Sequence, residues 1–139
     1  MPRRSAGLRA LGIDHRAASE ADVARVVEQG LPPASVERLL SLGFSKQEVF
    51  RLVIPQRTLT HRKLRRQLLT GDESDKTVRL ARVRDLAVRV FGNDDKAWHW
   101  LRKRRTAFGD RAPVALLGTE AGARAVEEAL LAIDEGMVA

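Results

Sequence analysis

The chain has 139 residues, 44% hydrophobic and 31% charged, enough for one compact domain or two small ones sharing a core. It has no cysteine, which excludes disulfides and thiolate chemistry, and no run of about 18 apolar residues, so no membrane span is predicted. The net charge of +7 sits in one half: residues 1–68 hold 13 Lys/Arg against 6 Asp/Glu, whereas residues 69–139 hold 12 of each. Such an excess points to a polyanionic partner, nucleic acid first. Aromatics are only 4%, and Ala, Leu, Val and Arg dominate, so an all-α fold is predicted.

Residues 1–18 are basic, Arg- and Ala-rich, and read as a flexible arm; the start, MPRRSAGLRALGID, has too short an apolar run for a secretory signal, and a cytoplasmic protein is expected. Ser19 or Glu20 opens a helix over Ala21–Gln29, with Val23, Val26 and Val27 on its apolar side and Gly30 at its end. Pro32-Pro33 starts the next, Ala34–Leu42, with Val36, Leu39 and Leu40 inward, and Gly43 closes it. Ser45 and Glu48, three apart, form a capping box for a short helix that must stop before Pro55.

Gln56–Gln67 then reads as a basic helix with Leu59 and Leu64 as inward anchors. Two short helices joined by a tight turn, the second dense in Arg, Lys, Thr and Gln, are what a major-groove reader requires. Gln56, Arg57, Thr58 and Thr60 lie near the helix start, where base edges are reachable; His61 shares the basic face, and Arg62, Lys63, Arg65 and Arg66 suit phosphates. Ile54-Pro55 stands at the turn where such motifs often carry glycine.

Thr70 and Glu73 signal a capping box for a long helix over Asp72–Phe91, with Leu80, Val83, Ala87 and Val90 as its stripe, either a dimer seam or part of the chain's own core. Asn93 caps Asp94–Arg102, in which one indole of Trp98 and Trp100 is core and the other partly exposed. Lys103–Pro113 is a loop with Phe108 turned inward, followed by a short helix, Pro113–Leu117. Thr119 caps the last helix, Glu120–Glu135, Gly136 stops it, and Met137-Val138-Ala139 reads as a free apolar tail. The domain division is 1–18, 19–68 and 69–139.

Chemistry is scarce. His15, His61 and His99 are far apart in sequence, no HExxH spacing occurs, and no phosphate-binding glycine loop is present. Asp94-Asp95 at a helix start answer to the macrodipole. No enzyme activity, cofactor or metal site is expected.

Taken together, IPQRTLTHRK at 54–63, LLTGDESD at 68–75, RLARV at 79–83, VFGNDDKAWHWLR at 90–102, PVALL at 113–117, TEAGARAVEEAL at 119–130 and GMVA at 136–139 resemble the Xre-type antitoxins of the Xre/MbcA/ParS toxin-binding group. The resemblance spans roughly Gly43 to Ala139. It implies a helix–turn–helix half followed by a helical toxin-binding half, with no catalysis of its own. It implies a RES-domain toxin that degrades NAD as protein partner, operator DNA as the second partner, and autorepression by a homodimer within a larger complex. It further implies that the C-terminus enters the toxin's cleft, which marks Gly136, Met137, Val138 and Ala139, with Trp98, Trp100 and Arg102 on the wider docking surface. The loop departs from the family's usual NPALGGRTP: here it is RRTAFGDRAP, with Ala112 where a hydroxyl cap is common. The alternative expectation is a stand-alone dimeric helix–turn–helix regulator.

Overall fold

Five helices begin where the sequence supplies a side-chain oxygen. Ser19 with Asp22, Ser45 with Glu48, and Thr70 with Glu73 each form a reciprocal capping box, and Asn93 and Thr119 cap through single bonds to Lys96 and Gly122. Each cap satisfies donors that a helix start leaves unpaired and contributes about 1 kcal/mol. The computed structural model describes residues 6–13 and 19–136. In it run α1 (Ala6–Ala10), α2 (Glu20–Gln29), α3 (Ala34–Ser41), α4 (Lys46–Leu52), α5 (Gln56–Leu64), α6 (Gly71–Phe91), α7 (Asp94–Arg102) and α8 (Glu120–Asp134). Short 3-10 turns cover Thr106–Phe108 and Pro113–Leu116, and a single antiparallel bridge, Arg105 with Arg111, pinches the loop between them. The fold is all-α.

α6 is the axis. It packs against α1, α2, α3, α7 and α8. Val78, Leu80, Ala81, Val83, Ala87 and Val88 are buried, and so are Ser74, Thr77, Arg84 and Asp85, so the helix is covered on nearly every side. Its apolar stripe therefore faces the chain's own core, which removes it as a dimer seam. One continuous apolar cluster joins Leu39, Val49 and Ile54 on the N-terminal side to Leu101, Leu117, Val126 and Leu130 on the C-terminal side.

The reading of residues 1–18 as a flexible arm is corrected over residues 6–13. Leu8, Leu11 and Ile13 are buried in the core, and α1 lies against α6 and α3. What binds it is polar as well as apolar. The Asp85 carboxylate accepts the N–H groups of Gly7 (2.8 Å) and Leu8 (3.0 Å), filling the donors at the start of α1. Residues 1–5 and 14–18, the rest of that arm, lie outside the described residues, as does His15. Gly7 is needed for this approach: a Cβ there would sit 2.5 Å from Asp85 Oδ1 and 2.9 Å from the Ala81 carbonyl.

Asp85 is itself held by Arg84, whose guanidinium reaches Asp85 and Asp94 at 3.1 Å each. Burial raises the Asp85 carboxyl above the ordinary 3.8, outweighing the N–H groups of Leu8 and Gly7 and the Arg84 guanidinium, which lower it. Removing one partner of a buried ion pair leaves the other uncompensated. Asp85→Ala is expected to lose about 3–5 kcal/mol in urea denaturation. Gly7→Ala, which displaces α1 but keeps the charges, should lose less, about 1–3 kcal/mol.

Candidate nucleic-acid and toxin interfaces

α4 and α5 are joined by Val53, Ile54 and Pro55. Ile54 is buried, and its side chain fixes the turn where a glycine is otherwise common. Pro55 precedes α5 in an extended conformation (φ −60°, ψ 145°) and supplies no side-chain cap. α5 ends at Leu64 rather than Gln67, because Arg66 adopts a left-handed conformation (φ 52°) and the Gln67 N–H turns back to the Arg62 carbonyl.

Leu59 is the buried anchor of α5; Leu64, expected inward, is 80% exposed. Successive residues on a helix turn by about 100°, so a side chain five positions after Leu59 points to the opposite side. Gln56, Arg57, Thr60 and His61 share that outer side with Leu64, lining one shallow hollow, while Thr58 is half-buried.

The basic residues of this stretch divide in two. The Arg57, His61, Arg65 and Arg66 side chains are exposed and make no ion pair among the described residues. Arg62 does not belong with them as a phosphate contact. Its Nε and Nη2 reach the two carboxylate oxygens of Glu73 at 3.2 and 3.3 Å, and Nη1 reaches Gln67 Oε1 at 3.4 Å. Because Glu73 also closes the capping box of α6, this fork ties α5 to the central helix. Lys63 pairs with Glu37 of α3, but both side chains are about half exposed, so the pair is weak.

On the other half, Trp98 and Arg102 of α7 face the turn between α3 and α4, and Arg102 also reaches α4. The Trp98 Nε1–H donates to the Leu42 carbonyl at 3.1 Å, and its ring meets Phe44 edge-on at 4.7 Å. The Arg102 guanidinium lies 4.3 Å over the Trp98 ring. It donates to Glu48 (3.2 and 2.8 Å) and to the Gly43 carbonyl (2.7 Å). Gly43 must be glycine on two counts: its φ is 111°, and a Cβ would run into the Trp98 indole. Trp100 is the core indole, 5% exposed, packed between Phe91 and Phe108 with Arg105 over its ring at 4.8 Å. That corrects its assignment to the docking surface, since a buried ring meets no partner. Phe108 is half-buried, as expected. Gly136 is exposed with φ 84° after α8; Met137, Val138 and Ala139 lie outside the described residues.

The two capping-box glutamates were legible in the sequence, but not their second role. Each accepts from its own helix start and from an arginine of another element, Glu48 from Arg102 and Glu73 from Arg62. No local spacing could signal pairs separated by 54 and 11 residues. Among the described residues no group of His, Asp and Glu is placed to hold a metal ion, and no helix is long and apolar enough to cross a membrane.

Burial pushes the Glu48 and Glu73 carboxyls up. The Arg102 and Arg62 hydrogen bonds, with the N–H groups of Ser45 and Thr70, outweigh it and hold both below the ordinary glutamate value of 4.5. The unfolded chain therefore takes up these protons first. The stability they contribute is full above the unfolded value and is lost as pH falls through the lowered folded values. Asp85, raised, acts with the opposite sign. A Glu48→Gln/Glu73→Gln variant should show a flatter fall in unfolding free energy between about pH 5 and 3, followed by urea titrations at each pH.

Two family models match this chain. Residues 22–82 match the antitoxin Xre-like helix-turn-helix domain, and residues 86–136 match the antitoxin Xre/MbcA/ParS C-terminal toxin-binding domain. The chain is 45% identical over 84 residues to an antitoxin Xre of Pseudomonas putida, covering 60% of this chain and 53% of that protein. It is 32% identical over 116 residues to an antitoxin Xre of Photorhabdus laumondii, covering 81% and 78%, and 37% identical over 94 residues to one of Yersinia enterocolitica, covering 66% and 64%. The chain thus spans about half the length of the Pseudomonas relative and most of the Photorhabdus one. A helix–turn–helix half and a C-terminal half meeting on α6, matched in that order along the chain, place it in the Xre antitoxin family.

Proposed function

We propose that this chain neutralises a RES-domain, NAD-degrading toxin by binding and occluding it, and represses its own operon by reading operator DNA with α5. The observation that carries the DNA reading is the set of exposed cations on α5 and just past its end: Arg57, Arg65 and Arg66 make no ion pair among the described residues. Residues 56–71 hold no acidic side chain to quench them. Gln56, Arg57 and Thr60 lie toward the helix start and suit base edges; Arg65, Arg66 and the loosely paired Lys63 suit phosphates. One short helix covers few base pairs, so the reading includes a homodimer spanning two half-sites, joined through a surface other than α6. The match of residues 86–136 to a toxin-binding domain supports the second role. Trp98 and Arg102, with Met137–Ala139, form the docking surface in this reading. The chain acts in it by occupancy and needs no cofactor.

Arg57→Ala/Arg65→Ala/Arg66→Ala is expected to lose operator binding and to flatten the dependence of log affinity on log salt by about 2–3 units, read by titration at several salt concentrations. Unchanged operator affinity in that variant overturns the DNA reading. For the toxin, cellular NAD and growth are compared with full-length chain and a form ending at Gly136, at matched levels. The shortened form is expected to keep DNA binding and to protect less; full protection would remove Met137–Ala139 from the inhibitory surface.

A further inference from the structure

α5 carries one side chain that neither packing nor charge explains. Leu64 is 80% exposed and lies in the outer hollow with Gln56, Arg57, Thr60 and His61. A lone exposed leucine is ordinary on a protein surface. This one shares its hollow with Arg57, and residues 56–71 hold no acidic side chain, which restricts what can cover it. A second copy, α5 against α5, would bring two sets of Arg57, Arg65 and Arg66 together with no acidic residue in 56–71 to offset them. A duplex instead presents phosphates to the arginines and, on the major-groove floor, the 5-methyl group of thymine to an apolar side chain.

We infer that Leu64 is a specificity residue that packs on a thymine methyl group of the operator. The inference rests on α5 being the DNA-reading helix. Leu64 follows Arg57 by seven residues, two turns along the same face, or about 10 Å at the helical rise. At about 3.4 Å per base pair that thymine lies within about four base pairs of the position Arg57 reads.

The test uses the full chain and a duplex selected with it from a random-sequence library. Each thymine is replaced singly by uracil, which deletes only the methyl group, and affinities are measured by fluorescence anisotropy for the wild type and Leu64→Ala. One uracil, within about four base pairs of the position relaxed by Arg57→Ala, should weaken the wild type about three- to fivefold, the factor for one buried methyl. The same uracil should not weaken Leu64→Ala, whose salt dependence should be unchanged. Leu64 is exposed, so the variant should fold, which its urea midpoint checks. A uracil penalty that persists in Leu64→Ala, or no sensitive thymine, overturns the inference while leaving DNA reading intact. Equal weakening of thymine and uracil duplexes by Leu64→Ala, with a less steep binding curve, places Leu64 between copies and also overturns it. Failure to select any duplex above non-specific background sinks the DNA reading itself.

Discussion

A helix buried on nearly all sides cannot carry charge without dictating where its neighbours go. α6 carries two adjacent charges, Arg84 and Asp85, both buried. Their desolvation would cost several kcal/mol per ion unless opposed by close partners. Asp85 finds the free N–H groups at the start of α1, and Arg84 finds Asp94 at the start of α7 as well as Asp85 itself. The starts of two helices, 88 positions apart by number from Ala6 to Asp94, are thereby fixed on one point of the central helix. The pair sets geometry more than it adds stability, because an apolar replacement could bury the same volume without the desolvation. What an apolar pair could not do is select a helix N-terminus on one side and a carboxylate on the other.

The same economy of partners shapes both candidate interfaces. Glu48 and Glu73 each close a capping box and receive an arginine fork, so the helix starts of α4 and α6 are also the attachment points of α7 and α5. This separates Arg62 from Arg57, Arg65 and Arg66, which composition alone would group together. One guanidinium holds the helix in place; the others are free of ion pairs among the described residues and keep their donors for another molecule. Arg102 stands between these cases. It stacks on Trp98 and binds Glu48 and Gly43, yet remains 42% exposed, so its outer edge stays open to a partner without the inner contacts being broken.

Helix positions were legible because the caps are local: Ser45 with Glu48 and Thr70 with Glu73 need only a three-residue spacing. On α5, apolar type alone misplaces Leu64, which is exposed. Placing Leu59 inward and turning 100° per residue puts Arg62 and Lys63 on either side of it and Leu64 well away, which is where they stand. The order of residues already contained that answer. The burial of α1 was not contained in it. Leu8, Leu11 and Ile13 lie within a basic, glycine-containing stretch, and what recruits them is Asp85, 77 positions beyond Leu8. Nor could spacing decide between Trp98 and Trp100, since that choice depends on Phe91 and Phe108 being gathered around the second.

The way α5 is held follows from what its outer face must leave free. A nine-residue helix makes about two and a half turns, and each turn offers roughly one inward position. Leu59 fills one such position, and the positions flanking it hold Arg62 and Lys63, whose partners lie on α6 and α3. Ile54 closes the turn before the helix, and Leu69, whose N–H donates to the Leu31 carbonyl at 2.8 Å, secures the chain after it. The helix is thus fixed mainly from its two ends and by one semi-enclosed ion pair, with little apolar surface of its own. The Arg62–Glu73 pair, 22% and 13% exposed, is less screened by salt than a surface pair. The cations that remain unpaired can therefore respond to ionic strength while the helix that presents them keeps its position.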